Sequence, residues 1–340
     1  MKIAINQKPY DGPWGGGNRF IKALKDALAA AGHQVVYDLR APVDIILLFE
    51  TRVRSPNVCF GSGAILRYLL FHPNTLVIHR INECDERKGK KFITRRLLRA
   101  NYAADLTVFV GSWMMNLPAW KKHGRTRCKV ILNGADTSLF NFKGSAIWDG
   151  SGQLKLVTHH WGYNPNKGAD VYNKIDALLD NPEFAQLFSM TYIGNLPQGV
   201  SFKNIRNVKA LDGLALAALL KEHHVYVTGA VNEPGGNHQN EGAVCGMPLI
   251  YRRSGCMPEY CEGYGIEIKE PDDVKAALMK MRENYAAYRS KMAAYPHTAA
   301  QMTRDWIAYF EESLTRRNAL VKKRRLWRNP VSFLLNQIPL

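Results

Sequence analysis

The sequence predicts an α/β protein of two Rossmann-like, doubly wound domains, and three observations lead there. Its 340 residues suffice for two domains of ordinary size, each with a buried core. The chain opens with a strand, a glycine loop and a helix. Beyond a polar stretch near residue 150, a second alternation of strand and helix patterns begins.

KIAIN at residues 2–6 reads as a short buried strand. It runs into the glycine loop DGPWGGG and then a helix from about Asn18 to Ala31, with Phe20, Ile21, Leu24, Ala27 and Leu28 on one face. Gly32 stops that helix. QVVYD and DIILLF follow as strands, and the second is too continuously apolar to have a solvated face, so the sheet is expected to be parallel and covered on both sides. TLVIH, DLTVFV and KVIL supply later strands, connected by helices over Arg95 to Tyr102 and Ser112 to His123. After NFKGSAIWDGSGQ, the strands LKLVTH, FSMTYIG, HVYVTG and PLIYR alternate with helices over Gly168 to Leu179, Gly213 to Glu222, and a segment starting near His238. The expected divisions are 1–150 for the first domain, 151–297 for the second, 298–314 for a returning helix and 315–340 for a basic and apolar tail.

Hydrophobic residues make up 46% of the chain and charged ones 22%, which excludes a disordered or fibrous protein. MKIAINQK lacks the apolar stretch of a signal peptide, and no window of about 20 apolar residues suggests a membrane span. Six cysteines are scattered without a C-x-x-C pair, so neither a zinc cluster nor a disulfide framework is expected. Cys256 and Cys261 read as packing residues, and a reducing, cytosolic compartment fits the set. The net charge of +17 is far from ordinary and unevenly placed: seven Lys or Arg without an acid lie between Arg87 and Ala104, and seven more between Ser313 and Leu340. Such runs make a surface for phosphate-rich partners or a solvated face that keeps the protein soluble.

The richest segment is NEPGGNHQNEGAVCGMPLIYRRSGCMPEYCEGYG, residues 232–265, which sets Glu233 and Glu241 on either side of a Gly-Gly turn entering a helix. Backbone N–H groups of Gly235, Gly236 and Asn237 at such a helix start suit a diphosphate. A carboxylate can accept two hydroxyl hydrogens at once, so one Glu can hold a sugar and the other a ribose.

The whole string resembles the signature of the family 4 glycosyltransferases, in which two Glu separated by seven residues precede a helix and a G-x-P strand. Here these are Glu233, Glu241 and Gly246-Met247-Pro248, with Gly255 and Pro258-Glu259 continuing the pattern. Other segments resemble the family in order: GPWGGGNRFIKALKDALAAAGHQV, ILNGADTSLF and the returning helix TRDWIAYFEESL. The resemblance implies the GT-B fold, two Rossmann-like domains facing across a cleft, and retaining, metal-independent transfer from a nucleotide-diphosphate sugar with no cofactor. It implies that Glu233 contacts the donor sugar and Glu241 the ribose, and that Gly16 and Gly17, with Asn18 beside them, let backbone approach the donor phosphates. A dinucleotide fingerprint would need a third glycine that the loop lacks, so hydride chemistry loses support.

THHWGYNPNKGADVY, residues 158–172, stands where these enzymes carry an Arg and then a Lys that neutralise the leaving diphosphate. Lys167 matches the Lys, whereas His159, His160, Trp161 and Gly162 stand in place of the Arg. His160 is read either as a partial substitute or as a core histidine, and Arg252 or Arg253 as cations that could reach in. His79 ends the strand pattern TLVIH where the family often sets a histidine by the reacting sugar; it is a site residue or a structural one. Asn82, Glu83 and Asp85 on the following loop are candidate acceptor ligands. Because the leaving phosphate can take the acceptor proton, catalysis needs positive charge at the leaving group rather than a dedicated base. No D-x-D motif is present, so no metal is expected.

The acceptor is expected to be a glycan or a lipid-linked molecule. The tail combines basic residues with Leu326, Trp327, Val331, Phe333, Leu334, Leu335 and Ile338, suited to an anionic membrane at the inner face or to packing on its own protein. Two alternatives share parts of this pattern: a nucleotide-sugar epimerase of the same fold and, on charge alone, a nucleic-acid-binding protein. No module with interleaved aromatic and basic residues supports the latter, so nucleic acid is not the expected partner.

Overall fold

The computed structural model describes residues 1–10, 15–121, 127–162, 164–196, 198–324 and 326–339. Residues 11–14 of the glycine loop, and Lys122 and His123 of the expected Ser112–His123 helix, lie outside the described residues. The chain forms two compact units, Met1–Leu132 with Ala300–Leu340, and Asn133–Ala299.

In the first unit the strands β1 (Lys2–Ile5), β2 (Gln34–Val36), β3 (Ile45–Leu48), β4 (Leu76–Ile81), β5 (Leu106–Phe109) and β6 (Cys128–Val130) form a parallel sheet in the order β2-β1-β3-β4-β5-β6. Continuous apolar strands make sense only in a sheet covered twice. β3 shows how: Ile45 and Leu47 pack with Phe20, Leu24, Trp306 and Phe310 on one face, while Ile46 and Leu48 pack with Ile65, Leu66 and Phe333 on the other. The helices Gly16–Ala30 and Ala299–Thr315 thus cover one side, and Ser62–Phe71 and Pro330–Gln337 the other. The expected Ser112–His123 helix is two short ones, Ser112–Met115 and Pro118–Lys121, because Pro118 cannot donate to a continuing helix.

The basic tail packs on its own unit. Leu320 enters one core layer and Phe333 the other. The Arg324 guanidinium bonds both oxygens of the buried Asp105, with Nε 2.8 Å from Oδ1. Among the described residues no helix is long and apolar enough to cross a membrane.

The second unit repeats the plan with β7 (Leu154–His160), β8 (Phe188–Gly194), β9 (Arg206–Val208), β10 (Val225–Thr228), β11 (Leu249–Arg252) and β12 (Gly265–Ile268), all parallel in the order β12-β11-β10-β7-β8-β9. The unit begins at Asn133, not near residue 150, because the intervening segment bonds into it: the Asn133 amide donates to Tyr260 Oη at 2.6 Å, and the Ala146 amide to the Lys221 carbonyl at 2.7 Å.

Strand order decides where this unit can bind a ligand. The chain runs outward from β7 through β8 to β9, then starts again on the other side at β10. The connections after β7 and β10 therefore diverge and leave a crevice at the carboxyl ends of these two strands.

Candidate functional site

The loops that leave β7 and β10 carry Lys167 and Glu233. Lys167 ends the short 3-10 turn Pro165–Lys167, and its Nζ lies 3.2 Å from Glu233 Oε2. The pair is mostly shielded, with side-chain exposures of 23% and 10%, so the two charges offset one another away from bulk water. Two glycines fix this meeting. Gly168 has φ +97, and a Cβ there would stand 2.5 Å from the Gly229 backbone, so only glycine lets the two backbones approach this closely. Gly255 has φ +61, and a Cβ there would stand 2.4 Å from the Glu233 amide nitrogen. The Cys256 amide then donates to the Glu233 carbonyl at 2.9 Å, holding the acid's backbone from behind.

Glu241 lies in the helix His238–Val244 and is buried. One of its oxygens meets His159 Nε2 at 2.9 Å, and His159 Nδ1 in turn faces Tyr226 Oη at 3.1 Å. A single-file relay of tyrosine, histidine and carboxylate thus orients Glu241. His159, which stands where the family carries an Arg, is buried and is the second acid's positioning partner.

His160 does not point at this pair. Its Nε2 lies 2.8 Å from Tyr172 Oη and 3.3 Å from Thr158 Oγ1, with the ring packed among Tyr172, Tyr192 and His238. It is a core histidine. Arg252 is held by Asp170 at 2.5 Å and Glu270 at 3.6 Å, and Arg253 by Glu267 at 2.9 Å, so both expected substitutes serve acids on their own surface.

The Gly-Gly turn is held through its carbonyls. Asn133 Nδ2 donates to the Gly235 carbonyl at 2.6 Å, and Gln239 Nε2 to that of Gly236 at 2.7 Å. Across a trans peptide the next N–H points the opposite way, so these bonds aim the amides of Gly236 and Asn237 away from Asn133 and Gln239. The Gly236 amide faces the buried Cys256 sulfur. The helix that follows has seven residues, so its macrodipole is short.

Gly16, Gly17 and Asn18 belong to the first unit and sit in the first turn of the Gly16–Ala30 helix. A Cβ on Gly17 would lie 3.1 Å from the Phe49 ring, so that glycine admits close packing. Asn18 clamps the strand-side end of the loop: Oδ1 accepts from the Tyr10 amide at 2.7 Å, and Nδ2 donates to the Tyr10 carbonyl at 3.1 Å. Its side chain is a loop staple in place of the expected donor ligand.

His79 is corrected as well. β4 continues past it to Ile81, so His79 is inside the strand, not at its end. It is fully buried, with Nδ1 3.1 Å from Asn101 Nδ2 and no hydrogen-bond partner for Nε2 among the described residues. Burial pushes its pKa down from 6.5 to about 3. Above the unfolded value both states are neutral and stability is complete; as pH falls below it, the unfolded chain takes the proton first. Each pH unit removes up to about 1.4 kcal/mol through this one group, until the folded pKa is reached. Urea unfolding of the first unit should therefore show His79→Gln losing less stability than the parent between about pH 7 and pH 5, by about 2 kcal/mol.

Of the expected site residues, Lys167 and Glu233 meet directly, Glu241 is held by His159 in the same unit, and the Gly236 amide expected for a diphosphate faces Cys256 instead. His238 starts the Glu241 helix, as the sequence predicts, with Nε2 3.0 Å from Thr228 Oγ1 and its ring against that of His160. Among the described residues no group of three or more His, Cys, Asp or Glu is placed to hold a metal ion.

No family model matches the sequence, and no curated protein matches it. Solved structures do. HepE from Anabaena, determined in complex with UDP, is 13% identical, with 92% of this chain covering 99% of that one at a TM-score of 0.64. A glycosyltransferase from Rickettsia africae is 12% identical, with coverages of 95% and 99% and a TM-score of 0.63. Sucrose-phosphate synthase from Thermosynechococcus elongatus is 13% identical, with coverages of 92% and 98% and a TM-score of 0.62. The fold is GT-B. At these identities the likeness establishes the architecture, and GT-B here means two units with the strand orders given above. The chemistry of the second GT-B unit has to be read from its own side chains.

Proposed function

We propose that the chain is a retaining glycosyltransferase that binds a nucleotide-diphosphate sugar in its second unit and passes the sugar to a glycan or lipid-linked acceptor. The observation that carries this reading is the Lys167–Glu233 pair at the strand-order reversal, eight residues before an acid that His159 holds in place. A cation and a hydroxyl acceptor side by side match the two ends of a glycosyl phosphate. The departing diphosphate gathers negative charge, and Lys167 is placed to stabilise it; Glu233 accepts hydrogen bonds from sugar hydroxyls, and Glu241 from the ribose.

The reaction needs no dedicated protein base when the leaving phosphate oxygen takes the acceptor's proton. We read the transfer as metal-independent on the same ground: Lys167 supplies charge at the leaving group. HepE has been determined with UDP and with UDP-glucose, so uridine donors head the panel of nucleotide sugars to be titrated against this protein. One member of that panel should stabilise it and the others should not.

A further inference from the structure

A cavity of about 1040 Å³ opens in the first unit between the helix Ile93–Asn101, the N-terminal ends of β5 and β6, and the tail. Its floor is the end of the sheet opposite the carboxyl ends of the strands, where GT-B units bind their substrates. Among its described lining residues six are cations, Arg95, Arg96, Arg99, Arg127, Lys323 and Arg328, and one is an acid, Asp105. That acid is already matched by Arg324, which is not among the lining residues. Burial holds Arg99 and Arg328 below the ordinary guanidinium range, and Arg127 pushes Arg328 in the same direction. The cavity thus concentrates positive charge at a cost in desolvation and repulsion that an anion would relieve.

The helix Pro330–Gln337 forms one rim. It buries Phe333 and Asn336, and Arg99 donates to the carbonyls of Leu335 and Ile338 at its far end. Its opposite face presents Val331, Leu334, Leu335 and the adjoining Ile338, exposed by 64%, 61%, 45% and 58%. The spacing of three, four and seven puts all four on one stripe. Leu335 belongs both to this stripe and to the cavity wall, so the apolar face and the cationic pocket are continuous. Trp327 stacks on Phe333 at 4.2 Å and is itself more than half exposed.

We propose that this surface docks on an anionic phospholipid membrane, with a lipid phosphate entering the cationic cavity and the Val331–Ile338 stripe lying among the upper acyl carbons. Charge complementarity selects the phosphate, and the adjacent apolar stripe selects a lipid surface over a free phosphate or a nucleic acid. The volume reaches the upper end of small-molecule sites, room for a whole headgroup. The inference is independent of the transfer reaction. Vesicle binding needs no donor, so its failure leaves the donor reading untouched.

The test is co-sedimentation of the full chain with phosphatidylcholine vesicles, with and without phosphatidylglycerol, at low and high salt. Binding should require phosphatidylglycerol and weaken with salt. Arg95→Gln and Arg328→Gln should each weaken it about fivefold, and the pair Val331→Ser with Leu334→Ser on the order of tenfold or more. Arg95 is exposed, so its variant keeps the test decisive if the double serine variant unfolds. Equal binding to neutral vesicles, no binding to either, parent-like binding by the Arg95 variant, or capture by RNA with vesicles left unbound would each overturn the proposal.

Discussion

Replacing Lys167 with alanine is expected to lower kcat by a factor of about 10²–10³, the loss that follows removal of one preorganised donor from a developing anion. The substitution deletes the cation that stands 3.2 Å from Glu233. Two effects are then superimposed. On the proposed mechanism the leaving group loses a stabilising charge, and Glu233, only 10% exposed at its side chain, loses the ammonium beside it. Thermal melting separates them: activity per folded molecule falls by orders of magnitude even below the melting transition. Lys167→Arg, which keeps charge but not the compact ammonium, should recover part of the rate. Near-parental turnover in Lys167→Ala would remove the diphosphate role.

The second large effect is on stability. Arg324→Ala should destabilise the first unit by about 3–5 kcal/mol, because it strips a buried carboxylate of the guanidinium that bonds both its oxygens. Asp105 is 4% exposed, and the Val77 amide, 2.9 Å from its Oδ2, is too weak a partner for a full charge. The same arginine caps the carbonyls of Pro73 at 2.8 Å and Thr75 at 2.6 Å, so its loss also frees the turn before β4. Urea unfolding followed by tryptophan fluorescence measures the change. The double variant Asp105→Asn with Arg324→Met should be much less costly than Arg324→Ala, since it removes the charge along with its partner. A single-variant loss under about 1 kcal/mol would mean that the tail adds little to the unit.

The sequence displayed the parts of this molecule that repeat with a short period or need a special backbone. DIILLF could only be a strand covered on both faces, and it is. The glycines of Lys167-Gly168 and Gly255 were legible as pattern before the contacts that require them were visible. β9 and β12 were missed because edge strands of three and four residues, RNV and GIEI, carry too little alternation to register. His79 misled because a strand was taken to stop at a histidine that burial simply tolerates as a neutral ring. Asn18 was misread, and His160 left between two readings, for another reason: their hydrogen-bond partners, Tyr10 and Tyr172, are fixed by tertiary folding, and a sequence does not announce which polar side chain is already occupied. The tail offered two readings, membrane or self-packing. The helix Pro330–Gln337 buries one face and exposes the other, which leaves room for both.

The most direct measurement is a thermal-shift titration of the protein with UDP-, GDP- and ADP-sugars beside the same titration of Glu241→Ala. One donor should raise the stability of the parent, by about 2.7 kcal/mol at one hundred times its dissociation constant, and the variant should need far more of it. A parent that responds to none of the nucleotide sugars, or a Glu241→Ala variant that responds as the parent does, would contradict the account.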